Sequence, residues 1–153
     1  MKLTHLLPSA LQQLEKVTPK VHKPKKRNRK INNSSKKTVG FFTGCVMDTF
    51  FSNINDLSIQ LLELAGFHVV TIQEQQCCGA LQHHAGEKDL SIELAKHNIE
   101  AFEKYNFDYI VHAIGGCGAT LIEYPKFFSV KDPWHARAVT FSEKTVDISV
   151  LLD

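Results

Sequence analysis

The chain has 153 residues, 43% of them hydrophobic, and a formal charge of +2. That length suits one domain, and that apolar share suffices for a core. No run of roughly 18 apolar residues occurs to span a membrane, and Pro8, Gln12, Gln13 and Glu15 interrupt the amino-terminal stretch too early for a secretory signal. These features point to the cytoplasm, where cysteines serve metals or redox chemistry more often than structural disulfides.

The charge is unevenly spread. Residues 1–37 hold eleven Lys/Arg and one acid, about +10, and residues 38–153 hold seven Lys/Arg and fifteen Asp/Glu, about −8. Within the first part, residues 3–17 (LTHLLPSALQQLEKV) have the spacing of a short amphipathic helix. Residues 18–37 contain two prolines, nine Lys/Arg and no acid, the composition of a solvated, largely disordered connector. The stretch KPKKRNRK also suits a nucleic-acid arm. No aromatic is interleaved and the following domain is acidic, so no specific nucleic-acid binding is expected. Contact with a partner subunit or a membrane surface is the other use for such a segment.

From Thr38 the pattern changes. TVGFFTG predicts a strand, 49–66 a helix stopped by Gly66, and FHVVTIQ a second strand. Residues 87–105 predict a helix, FDYIVHAIG a third strand, and CGATLIEYPKFF a short helix that Pro125 ends or kinks. AVTFSEKTVDISVLL supplies a fourth short strand and a final helix. This alternation predicts a small three-layer α/β domain over a mostly parallel sheet of about four strands. Its expected core is Val39, Phe41, Ile54, Leu61, Leu64, Val69, Ile72, Leu94, Ile99, Phe102, Ile110 and Val111.

The four cysteines follow the predicted strands. Cys45 comes after the first, Cys77 and Cys78 after the second, and Cys117 after the third. In a parallel sheet those strand ends share the carboxyl edge, where α/β folds bind ligands. Glycines flank each cysteine: Gly44, Gly79, Gly116 and Gly118. They let backbone approach a bulky ligand closely. Helices starting near Cys45 and Cys117 favour thiolate there. Neighbouring cysteines rarely bond to each other, and four thiolates together need a cation, which makes a metal site the natural reading. Inert buried thiols are the plain alternative, but they leave the shared edge unexplained. His83 and His84 are candidates to donate to the sulfurs or to ligate, against a role as solvated loop side chains.

GCVMDTFFSNIN, QQCCGALQHHAGE and IGGCGATLIEY together resemble the cysteine-rich CCG domain over residues 38–153. The chain looks most similar to the branch found in iron–sulfur subunits of glycolate oxidase (glycolate dehydrogenase). Heterodisulfide reductase and lactate-utilisation iron–sulfur proteins carry the same domain type. The family pattern is a cysteine, then CCG, then CxxC. Here 31 residues separate Cys45 from Cys77 and 38 separate Cys78 from Cys117, and Thr120 stands where the last cysteine of CxxC would be.

The resemblance implies an electron-transfer module of a 2-hydroxy-acid dehydrogenase complex, itself without turnover. Cys45, Cys77, Cys78 and Cys117 match a four-iron cluster in number, and a tetrahedral zinc equally well. Zinc would make this a structural or regulatory module of a related oxidoreductase. The resemblance further implies a flavin-containing partner subunit and a ferredoxin-like iron–sulfur module. It places the complex in the cytoplasm, at the inner face of the membrane, with residues 38–153 as the first repeat of a longer subunit.

Overall fold

The computed structural model describes residues 8–17 and 37–153. Helix α1 covers Ser9–Val17, within the predicted amino-terminal helix. The connector reading of 18–37 falls outside the described residues except at Lys37.

Four strands form one sheet: β1 Thr38–Phe42, β2 His68–Thr71, β3 Tyr109–His112 and β4 Thr145–Asp147. Their order is β2-β1-β3-β4, and every pairing is parallel. Between β1 and β2 run α2, Cys45–Phe50, and α3, Ser52–Leu64. The single helix expected over 49–66 is therefore two helices, jointed at Phe51. Helix α3 stops where Gly66 takes φ of +97°, a conformation open to glycine. Between β2 and β3 lie α4, Ala80–His84, and α5, Lys88–Glu103.

After β3 come α6, Gly115–Glu123, a 3-10 turn over Tyr124–Phe127, α7, Pro133–Lys144, and after β4 α8, Ile148–Leu152. Helix α7 was absent from the sequence expectation, which began its last elements at Ala138. Its start is nevertheless a recognisable signal. Asp132 accepts a hydrogen bond from the Trp134 N–H, and Pro133 occupies the first helical position.

The sheet residues alternate between two cores. Val39, Phe41, Val69 and Val111 pack with Ile59 and Leu62 of α3. Phe42, Val70 and Ile110 face α5, α6 and α7 through Ile99, Phe102, Leu121 and Phe141. This is the expected three-layer arrangement. Most of the predicted core is buried, but α3 departs from it: Ile54, Leu61 and Leu64 are exposed, and the helix buries Ser52 and Asn55 instead. Leu94 is half-buried.

Among the described residues no helix is long and apolar enough to cross a membrane.

Gly40 lies in β1 where a Cβ would come within 2.7 Å of the Phe107 ring and 3.1 Å of the Phe102 ring. Gly40→Ala therefore overpacks the core. It should cost about 1–3 kcal/mol, read as a lower urea midpoint at unchanged slope.

Candidate metal centre

The chain passes from β1 through α2 and α3 to β2, then crosses back over β1 to β3 on the opposite face of the sheet. That reversal opens a crevice beyond the carboxyl ends of β1 and β3, the place where open α/β sheets accept ligands. Cys45 is the first residue of α2 and Cys117 lies in the first turn of α6. They stand on the two sides of this crevice. Cys77 and Cys78 come from the loop between β2 and α4. All four line one cavity of about 190 Å³, closed by Val46, Met47, Ala80, Leu81 and Ile114 together with Gly44 and Gly116. No lining side chain is charged at neutral pH.

The thiols form a connected series. Cys45 Sγ lies 3.5 Å from Cys77 Sγ. Cys78 donates to Cys117. Cys77 Sγ is also 3.8 Å from Gln82 Oε1. Cys45 is exposed, Cys77 and Cys117 are half-buried, and Cys78 is buried. Burial against the cavity wall, followed by contact with Cys77, pushes the Cys45 thiol up to about 11. Cys78 is pushed up by its hydrogen bond to Cys117 and then by burial. Cys117 lies below the ordinary thiol value because Cys78 donates to it. Helix starts alone would have lowered Cys45 and Cys117 alike, but at Cys45 burial and the neighbouring sulfur win.

The loop bearing the double cysteine is held by side chains that the sequence reading did not single out. Asn98, fully buried on α5, accepts from the Gln76 N–H at 2.9 Å and donates to Cys77 O at 2.9 Å and to Tyr124 Oη at 3.2 Å. The Tyr124 hydroxyl donates to Cys78 O at 3.0 Å. Gln75 accepts from the Thr43 N–H at 3.0 Å and donates to Thr43 O, tying the loop to the end of β1. One signal was available for Asn98, a polar residue on the apolar face of α5 beside Ala95, Ile99 and Phe102.

The glycines act at different points. A Cβ on Gly44 would meet Ile114 Cδ1 at 2.3 Å and Cys117 Sγ at 3.3 Å, so only glycine lets β1 lead into Cys45 here. Gly79 starts α4 with φ of +84°. Gly116 lines the cavity. Gly118 lies instead against the His112 ring, where a Cβ would come within 2.0–2.5 Å. His83 and His84 are exposed on α4 and line no part of the cavity, and His83 stacks on Phe127 with ring centroids 4.8 Å apart.

Among the described residues no three His, Cys, Asp or Glu side chains are grouped to hold a single metal ion. A single tetrahedral ion at about 2.3 Å from each sulfur would need all four thiols closed around one point. What these thiols share is a chamber with carbon walls, and that donor set fits a cluster of several atoms. A larger cavity of about 300 Å³ lies between α5, α7 and the start of β3. Its Arg137 is paired with Glu103, and its Lys144 donates to Phe107 O.

Comparison with known proteins agrees with the site. The cysteine-rich CCG domain model matches residues 39–122. A probable glycolate oxidase iron-sulfur subunit of Bacillus subtilis is 41% identical over 155 residues, 98% of this chain and 35% of that protein. Lactate utilization protein A of an Exiguobacterium species is 33% identical over 111 residues, 72% of this chain and 45% of that one. An uncharacterized iron-sulfur protein of Methanococcus maripaludis is 39% identical over 88 residues, 58% of this chain and 18% of that one. The chain thus spans less than half the length of each of these relatives. No solved structure matches. With the family match covering more than half of its length, and with its cysteines gathered at one sheet edge, the chain belongs to the CCG cysteine-rich domain family.

Proposed function

We propose that this domain is an iron–sulfur module of an oxidoreductase that oxidises a 2-hydroxy acid such as glycolate. In this reading Cys45, Cys77, Cys78 and Cys117 are the ligands of one four-iron cluster. The observation that carries it is the single chamber lined by four thiols, the donor set of such a cluster. The names of the relatives support the same chemistry. When bound, the cluster supplies a one-electron carrier whose potential depends on ligation, burial and hydrogen bonds to sulfur.

The chain's own residues set those terms. Val46, Met47, Leu81 and Ile114 keep water from the chamber. Asn98 and Tyr124 fix the backbone of Cys77 and Cys78, and Gly44 and Gly116 admit a bulky group beside the sulfurs. The module relays electrons and leaves substrate oxidation to a flavin-bearing partner, in a cytoplasmic complex at the membrane face.

Three outcomes test this reading. Protein purified and reconstituted without oxygen should be brown, with iron and sulfide in equal amounts. Each of Cys45→Ser, Cys77→Ser, Cys78→Ser and Cys117→Ser should lose most of the iron. A colourless protein carrying one zinc would replace the cluster with a structural metal.

Tyr124→Phe removes the donor to Cys78 O and a partner of Asn98. It should lower stability by about 1–3 kcal/mol and speed iron loss to a chelator, whereas a Tyr124 that served only as apolar filling would leave iron retention unchanged.

Binding must expel thiol protons, because the thiolate is the ligand. Cys45, held up to about 11, gives up its proton more readily as pH rises towards that value. Cluster uptake should therefore be faster at pH 8.5 than at pH 7. Equal rates at both values would show that Cys45 ionisation does not limit uptake.

A further inference from the structure

Helix α3 carries apolar residues on two faces. Inward it buries Ser52, Asn55, Ile59 and Leu62. Outward it presents Ile54, Leu57, Leu61 and Leu64, which are 40, 60, 51 and 86% exposed. These four follow one another at spacings of three and four, a single stripe of about 15 Å at 1.5 Å per residue. A helix apolar on both sides is normally covered on both sides.

A second exposed stripe belongs to the same chain. Helix α1 presents Leu11, Leu14 and Val17, again at helical spacing, 45, 58 and 76% exposed. It has nine residues, and a helix shorter than about 12 residues is marginal in water unless packing holds it. Its length is close to that of the α3 stripe. The charges also match. Helix α3 carries Asp56 and Glu63 and no Lys or Arg. Helix α1 has Lys16 in its last turn, and residues 18–37 add nine Lys/Arg and no acid. The twenty residues between Val17 and Thr38 can span about 65 Å, against a radius of gyration of roughly 13 Å for a domain of this size.

We propose that the outward stripe of α3 is the seat of the chain's own amino-terminal arm. Leu11, Leu14 and Val17 lie along Ile54, Leu57, Leu61 and Leu64, and the basic stretch after α1 runs past Asp56 and Glu63. The tether supplies an effective concentration in the millimolar range, so a contact too weak for separate chains suffices. A second copy of the chain, seated through α3, would bring acids towards acids, whereas the arm brings cations. The docked arm also stiffens α3, which is jointed at Phe51 to the short helix that opens with Cys45.

The test uses the full chain with Leu14→p-benzoylphenylalanine, illuminated and mapped by mass spectrometry in an equal mixture of isotope-labelled and unlabelled protein. The expected links run from position 14 to residues 54–64 within one chain. In parallel, Leu57→Ser with Leu61→Ser should raise amide exchange across residues 9–17 by about fivefold or more, with exchange in β1 and β3 unchanged. Links between labelled and unlabelled chains would give the face to a second copy. Links elsewhere, no links, or α1 exchange indifferent to the α3 substitutions would overturn the proposal and leave the stripe to a separate partner.

Discussion

Backbone groups in a loop have no ladder to satisfy them, yet at the double cysteine they are drawn into the interior. Asn98 and Tyr124 supply the missing partners, and both are fully buried. One carboxamide and one phenol thus take the place of a strand for Gln76, Cys77 and Cys78. An unmet group at this depth costs more than an ordinary hydrogen bond contributes, so the network is satisfied as a whole or the loop moves. Asn98 comes from α5 and Tyr124 from the turn after α6. The position of Cys77 and Cys78 is therefore set by the same core that packs Ile99, Phe102 and Phe141 under the sheet. Gln75 carries the reference across to Thr43, two residues before Cys45.

This rigidity matters because the thiols do not favour one another's ionisation. Cys45 is held well above its usual range and Cys78 further, while Cys117 gains its depressed value only by accepting from Cys78. Ionising all four at neutral pH requires a positive centre between them. A flexible loop would relieve the crowding by swinging a sulfur into water. A loop pinned through buried backbone contacts keeps the sulfurs together, ready for a cation. Gly44 adds to the same effect, since any side chain there would push Ile114 and Cys117 apart.

The sheet and its cysteine edge were legible in the sequence because two independent periodicities agreed. Short β-branched runs alternated with helical spacing, and each of the first three runs was followed by a cysteine near glycine. Asn98 was harder to see. On α5 it reads as one polar exception among apolar neighbours, and its value depends on Gln76, Cys77 and Tyr124 arriving from elsewhere in the chain. Helix α7 was missed for a different reason. Its carboxyl half contains Val139, Thr140 and Phe141, which suit a strand locally. The start signal at Asp132-Pro133 and the packing of Ala138 and Phe141 against the core decide for helix.

Helix α3 shows where periodicity stops being informative. Ile54, Leu57, Leu61 and Leu64 make one apolar stripe, and Ile59 and Leu62 belong to another, so the pattern alone does not say which turns inward. Counting apolar residues favours the first stripe. The structure chooses the second, together with Ser52 and Asn55. Asn55 Nδ2 donates to Asp48 Oδ1 at 3.4 Å across the joint at Phe51, linking α3 to the helix that begins with Cys45. The Asn55 Oδ1 is buried without a hydrogen-bond partner among the described residues, a cost that an apolar residue would not incur. A polar residue kept inside at such a cost, beside a large apolar stripe left outside, is poor design for an isolated domain. It is intelligible if two surfaces constrain the helix at once: the inner one aligns α2 so that Cys45 faces the other thiols, and the outer one is reserved for a further layer of protein.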